Sequence, residues 1–458
     1  MSFRKAGMSA LLIIVMLTLT MCSSAGPEQA PEPTQATQQE GATQAAPAAA
    51  AAPVTLKWFL RWDQSRLDNV AKPVIEAFQK ENPNITIEME NIGVSTDYYT
   101  KLQTTIAGGT PADVFYPGTH IAYALASKGA ILPISDLAAR DGVDLSQYDP
   151  AILDLYTLND EVYCLPIDKA SLVVFYNKDL FDAAGVAYPT EGWTWDDFLT
   201  TAQALTLDTD GDGNIDQFGV DQFRDYWSML VWSNTGHGLF DDIRHPTQFL
   251  GNEPAAIESV QWMGDLMTKY NVMPSDEQRA DITDMFAAKK AGMAVIGHWR
   301  VPTYTAVEGL NFDYAPLPIG KFDQAVNRAD GSCFAISADS KNPDAAWEFV
   351  KFLAGPGAEG VNLLLDLQQM TPALTAYQQD ARFLHPASQP DADLAAFLAG
   401  KDHLYTMYDP IHPMYSAFDA AWKQELGAVW TGDATAEEAM ARLQVQVQDM
   451  LDHLEDYE

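Results

Sequence analysis

Apolar positions recur along the chain with two interleaved periods. Val54 to Leu60 is a β-rich run. Leu67, Val70, Val74 and Phe78 then fall on one helical face, and Asn82-Pro83 stops that helix. Ile85, Ile87 and Met89 alternate with Thr86, Glu88 and Glu90, which predicts a half-buried strand. A further helix is closed by Gly108-Gly109, and Ala112 to Tyr116 reads as the next strand. The order β-α-β-α-β predicts a mostly parallel sheet with helices on both faces. The same style continues without a detectable sequence repeat. Thr194 and Asp197 bracket a helix start whose buried face carries Trp195, Phe198, Ala202 and Leu205. Met293 to Gly297 reads as a strand ending at His298-Trp299-Arg300. Thr435 and Glu438 open a last helix on which Leu443, Val447, Met450 and Leu454 line up.

The first fifty residues follow neither period. Arg4 and Lys5 precede an apolar, uncharged run from Leu11 to Leu19. That run is too short to span a bilayer and suits the core of a signal peptide over residues 1–21. Leu19-Thr20-Met21-Cys22 resembles the lipobox of bacterial lipoproteins, with Met21 where a small residue is usual; the resemblance implies acylation of Cys22. The rival reading is ordinary cleavage after Ser23-Ser24-Ala25, which leaves a free protein. Residues 22–53 are rich in Ala, Pro, Gln and Thr and lack aromatics. Such a segment buries too little apolar surface to offset its ordering entropy, so a disordered tether is expected.

About 405 residues follow, more than one ordinary core accommodates, so two domains are expected. The net charge of −36 makes nucleic acid and anionic lipid surfaces poor partners, and argues weakly against a polyanionic ligand. Of the three cysteines, Cys164 and Cys333 sit in apolar strand-like runs; two buried free thiols are expected there, with pairing as the alternative. No Cys-x-x-Cys or His-x-x-x-His pair suggests a transition metal.

Four stretches carry a family resemblance. They are Val74–Ile85 (VIEAFQKENPNI), Gly108–Tyr116 (GGTPADVFY), the series Tyr163–Pro166, Phe175–Phe181, Ala184–Val186 and Trp193–Phe198, and Ala291–Trp299 (AGMAVIGHW). In this order and at these intervals they resemble the extracellular solute-binding proteins of ABC importers, in the sugar-binding group. The resemblance implies an α/β, two-lobed periplasmic-binding-protein fold. Each lobe is a mostly parallel sheet flanked by helices, and crossing hinge segments join the lobes around a ligand cleft. By that resemblance the crossings lie near Asp168 to Phe175, Tyr314 to Pro318 and Ala354 to Gly360. One lobe would then comprise 54–168 and 319–355, the other 169–318 and 356–458. A monomer, a carbohydrate ligand, a permease partner and hinge closure are implied with it.

A sugar needs aromatic plates for its ring faces, with carboxylates and amides for its hydroxyls. Ligands of open α/β sheets bind beyond the carboxyl ends of the strands. Those ends carry Arg61, Trp62 and Asp63, then Asp113, Tyr116 and His120; Asp168, right after Leu165-Pro166-Ile167, sits at the mouth of the hinge that the resemblance implies. Trp62 and Asp63 could equally form a surface turn, and Asp113 a structural cap. Trp232 with Asn234 offers an aromatic and an amide together, the alternative being a core tryptophan. Trp299 is the leading stacking candidate; Arg300 beside it either bonds a sugar or pairs with a carboxylate. Gly331 and Ser332 resemble a glycine-rich strand entry where backbone meets ligand.

Asp208, Asp210, Asp212, Asn214 and Asp216, with Gly213 at the sixth position, match an EF-hand-like calcium loop. Gly219 stands where a bidentate Glu belongs, so Asp221 or Asp225 would have to complete the shell. The alternative is an ion-free Asp/Gly turn.

The function expected is a non-catalytic receptor, with no cofactor beyond that calcium. A secreted carbohydrate-active enzyme is the rival; it would need two placed carboxylates or an activated nucleophile. No Gly-x-Ser-x-Gly or His-Glu-x-x-His occurs. A third reading keeps the fold and changes the ligand to a polyamine or a phosphate ester.

Overall fold

The computed structural model describes residues 52–93, 97–279, 281–368 and 370–457. The segment read as a signal peptide, Cys22 and nearly all of the tether lie outside them. Two principal sheets are built from β1 (Val54–Leu60), β2 (Ile85–Asn91), β3 (Val114–Phe115), β4 (Cys164–Pro166), β5 (Leu172–Asn177), β6 (Phe218–Asp221), β7 (Ala291–Gly297), β8 (Phe312–Ala315) and β9 (Cys333–Ile336).

The first sheet has the order β2-β1-β3-β9-β4. β1 is parallel to both neighbours, with Trp58 opposite Met89 on one side and Val114 on the other. In β2 the polar positions Thr86, Glu88 and Glu90 are exposed, as the alternation predicts. Between β1 and β2 the chain is helical through Gln64–Arg66, Leu67–Ala71 and Lys72–Glu81, and Leu67, Val70, Val74 and Phe78 are its buried face. β9 returns from far down the chain and inserts antiparallel between β3 and β4, with Ala335 opposite Phe115 and Phe334 opposite Leu165. Its amino-terminal end therefore meets the carboxyl ends of β1, β3 and β4.

That insertion overturns one expectation. Cys164 and Cys333 are not free thiols but form a disulfide, their Cα atoms 5.6 Å apart. Each looks like an isolated buried thiol until β9 and β4 become neighbours, which brings the two within disulfide reach.

The second sheet has the order β8-β5-β7-β6. Both of its faces are covered. Leu172, Val174 and Tyr176 of β5 enter one core while Val173 and Phe175 enter another, and Met293 and Val295 of β7 oppose Ala294 and Ile296 in the same way. A strand buried on both faces has no polar alternation, which explains the unbroken apolar runs.

Core membership marks where the chain changes lobe. It passes out of the first core between Ile167 and Leu172, inside the first expected crossing. The return comes between Val326 and Ala329, later than the expected Tyr314 to Pro318, because Ala315, Leu317 and Val326 pack in the second core. The stretch Ala354 to Gly360 is not a crossing. Ala354, Val361 and Leu364 belong to the first core, the latter two on the helix Glu359–Asp366, whose Leu365 packs in a core of the second lobe. Beyond Leu374 the chain enters a core of the second lobe with Phe383, Leu394 and Phe397, and Ile411 returns to the first. At the crossings the Lys169 N–H donates to Thr371 O (2.9 Å) and the Ala170 N–H to Asp330 O (2.7 Å), so three segments run side by side. The Asn327 side chain adds bonds to both backbone groups of Leu172. Lys169 is buried on Asp149 at 2.8 Å. No helix among the described residues is long and apolar enough to cross a membrane.

Candidate ligand-binding cleft

The carboxyl ends of the first sheet converge as their order predicts. Trp62 follows β1 and is 2 % exposed, edge-on to Trp58 (5.6 Å) and Tyr116 (5.8 Å). Asn91 locks its backbone, accepting from Trp62 N–H and donating to Trp62 O. The Arg66 guanidinium lies 4.2 Å from the Trp62 ring centre. Asp168, after β4, accepts the Ser332 N–H at 2.6 Å. Burial pushes its carboxyl up to about 6, against the pull of the Ser332 bond and of the Arg66 and Arg328 charges. Gly331 is required beside it, since a Cβ there would collide with the Asp168 backbone oxygen. Tyr116 is buried against this group, and burial raises its phenol. Asp168, Gly331, Ser332 and Tyr116 thus form one cluster from three strand ends.

His120 opens the Thr119–Ser127 helix and stacks on Tyr408 at 4.2 Å, with Tyr99 at 5.5 Å. Burial, then the charges of Arg61, Arg328 and Lys423, push it down to about 3, so it is neutral at ordinary pH. Its Nδ1 is buried without a partner among the described residues.

From the second lobe, Trp299 is 36 % exposed, an unusual exposure for a large apolar side chain here. Its ring folds back over Gly297, where any side chain would clash with it. The Arg328 guanidinium lies 5.7 Å from the Trp299 ring and 5.8 Å from that of Tyr408. Trp299, Arg328, Tyr408 and His120 therefore run in contact from one lobe to the other. Arg328 is fixed by Asp330 at 2.6 Å, and Asp330 also accepts from Met407 N–H (2.9 Å) and the Thr406 hydroxyl.

Several candidates lie elsewhere. Trp232 is fully buried and stacked on Tyr405 at 5.4 Å, because the Trp227–Thr235 helix is buried on nearly every side. Asn234 on the same helix donates to Ala255 O (2.9 Å) and is scaffold. Asp63 caps the helix after β1, accepting from Arg66 N–H at 2.8 Å. Asp113 ties Lys57 N–H (2.9 Å) to the Ser340 hydroxyl (2.6 Å). Arg300 pairs with Asp284 at 3.6 Å.

Beside the His120–Tyr408 stack a cleft encloses about 1260 Å³. Tyr99 and His120 line it from the first lobe; Tyr408, Tyr415, Trp422 and Trp430 line it from the second, with Asp419 and Lys423 among its charges. This exceeds the roughly 300–1,000 Å³ of an ordinary small-molecule pocket. Sequence reasoning missed most of this wall. Tyr415, Asp419, Trp422 and Trp430 share the Tyr415–Thr431 helix, and their spacing was a readable signal of a polar-aromatic face.

In the 208–216 loop, carboxylate oxygens of Asp208, Asp210 and Asp216 lie within 4.8 Å of one another. Asp208 also accepts from Gly211 N–H (2.7 Å) and Gly213 N–H (2.8 Å), while Asn214 donates its backbone and side-chain N–H groups to Asp212. Asp221 cannot complete a shell, being buried on Arg279 and the Met285 N–H.

Two lobes of interleaved chain lie around an aromatic cleft, the architecture of a solute-binding protein. The chain belongs to the family described as bacterial extracellular solute-binding protein, whose profile matches residues 64–360. It is 24 % identical over 306 residues to the galactooligosaccharide-binding protein of Bacillus subtilis, covering 64 % of this chain and 68 % of that one. Against the maltotriose-binding protein of Pyrococcus abyssi it is 24 % identical over 369 residues, covering 79 % and 72 %. Its fold matches an ABC substrate-binding protein from Listeria monocytogenes in complex with cycloalternan, with TM-score 0.76, 23 % identity, and coverage of 89 % of this chain and all of that one.

Proposed function

We propose that this protein is the capturing receptor of an ABC importer for an oligosaccharide. It closes its lobes on the sugar and presents it to a membrane permease, without catalysis. The observation that carries this is the interlobe cleft of about 1260 Å³ with aromatic rings on both walls. Rings of that kind cover the apolar faces of successive sugar units, and its size suits several units. Relatives named for galactooligosaccharides and maltotriose support the same ligand class. A thermal-shift screen against oligosaccharides tests it: a ligand at 100 times its dissociation constant stabilises by roughly 2.7 kcal/mol. No shift with any sugar removes the reading.

Two further proposals accompany it. Acylated Cys22 anchors the receptor on the extracytoplasmic face, and Cys22→Ala then releases it from membranes; unchanged retention refutes the anchor. The 208–216 loop holds a weak calcium ion that relieves repulsion among Asp208, Asp210 and Asp216. Chelation then lowers the melting temperature and Asp208→Ala abolishes that response; a chelator-insensitive wild type leaves a plain turn.

A further inference from the structure

The chain carries 63 acidic side chains against 27 basic ones. Among the described residues every arginine but two lies in an ion pair with a carboxylate. The two exceptions, Arg61 and Arg66, flank Trp62 at the carboxyl end of β1. The charges of both reach Tyr116. Nε and Nη2 of Arg66, the edge of the guanidinium that grips a carboxylate side-on, are buried and without a partner among the described residues. So is Nε1 of the Trp62 ring beneath it. Arg61 gives one N–H to the Tyr99 hydroxyl at 2.5 Å.

No carboxylate among the described residues forms an ion pair with either arginine, although the Arg66 charge is felt at Asp168. Asp63 accepts the Arg66 backbone N–H, Asp168 accepts the Ser332 N–H, and Asp330 is held by Arg328, Met407 and Thr406. In a chain with so many acids, two half-buried guanidinium groups with no carboxylate partner among the described residues stand together at one strand end, where an anion from outside would complete them. The acidic surface does not prevent this, because salt screens it beyond about 8 Å.

We propose that the ligand is an acidic carbohydrate, a uronate whose carboxylate is held by the fork of Arg66 with Arg61 beside it. This rests on the carbohydrate reading above and narrows it. A planar fork matches a carboxylate in a way no neutral hydroxyl does.

Calorimetric titration of the purified full chain tests it. The probes are di- and trisaccharides of galacturonate, glucuronate and mannuronate, each beside its carboxyl-reduced, neutral counterpart. At least one uronate binds about tenfold or more tighter than its counterpart, and added salt narrows the gap. Arg66→Gln removes the preference while the ligand-free melt stays in place. Should that variant not fold, Arg61→Gln carries the same comparison. Neutral counterparts binding as well as the uronates, or a variant that weakens both alike, overturns the acidic ligand and leaves the carbohydrate receptor standing. No binding of any sugar, charged or neutral, overturns both.

Discussion

Trp299 and Trp232 separate the two fates of a tryptophan. Trp299 is 36 % exposed beside Arg328, whereas Trp232 is fully buried on Tyr405. Trp299→Ala should weaken oligosaccharide binding by 2 kcal/mol or more, roughly thirtyfold, and shift the ligand-free melt little. Trp232→Ala should cost about 3–5 kcal/mol of stability and leave affinity intact once folded. Calorimetry and thermal melts on the two variants check both; a reversed pattern refutes the placement. Asp409 carries a pH prediction. It is buried, accepts the Leu239 and Phe240 N–H groups, and burial pushes it up to about 7. Its folded value exceeds the unfolded one, so its stabilising contribution is present at low pH and lost as pH rises through about 7. Asp409→Asn, which cannot ionise, should therefore compare more favourably with wild type at pH 8 than at pH 5.5. A pH-independent difference in melting would contradict this. Tyr116 and Asp168 could be singled out because each follows a strand-like apolar run, whereas Gly331 and Ser332 came only from the family resemblance; the structure places the four together. Arg66 and Arg328 could not be singled out, since the reach of a long side chain is set by its neighbours.

At the scale of elements, period and caps were the readable part. The Thr194/Asp197 and Thr435/Glu438 capping boxes form with both reciprocal bonds present. The return of β9 between β3 and β4 was not readable, because it pairs segments far apart in sequence. The disulfide follows from that pairing and closes a loop of 169 residues. Replacing Cys164 and Cys333 together by Ala should lower stability by about 2–4 kcal/mol, measured by denaturant unfolding. An unchanged midpoint would show that the link contributes nothing. The helix Glu359–Asp366 bears on the misplaced third crossing: Val361 and Leu364 pack in the first core while Leu365 packs in a core of the second lobe, and no local signal says which core each position will join.

For the whole molecule, the interleaving of two lobes matters more than either sheet. Each lobe contributes rings to the cleft, and the crossings at 168–171 and 327–331 are laced to each other and to Thr371 by backbone bonds, beside a buried ion pair. Such a joint suits a hinge, where a few residues absorb the rotation of two otherwise rigid bodies. The central claim is that one sugar is held by both lobes at once. Calorimetric titration of the strongest oligosaccharide from the thermal-shift screen into wild type, Tyr99→Ala of the first lobe and Trp422→Ala of the second tests it most directly. Both variants should lose roughly thirtyfold or more in affinity, since each removes a ring from a different wall. Loss in one variant with wild-type affinity in the other would mean that a single lobe holds the ligand, and would contradict the account.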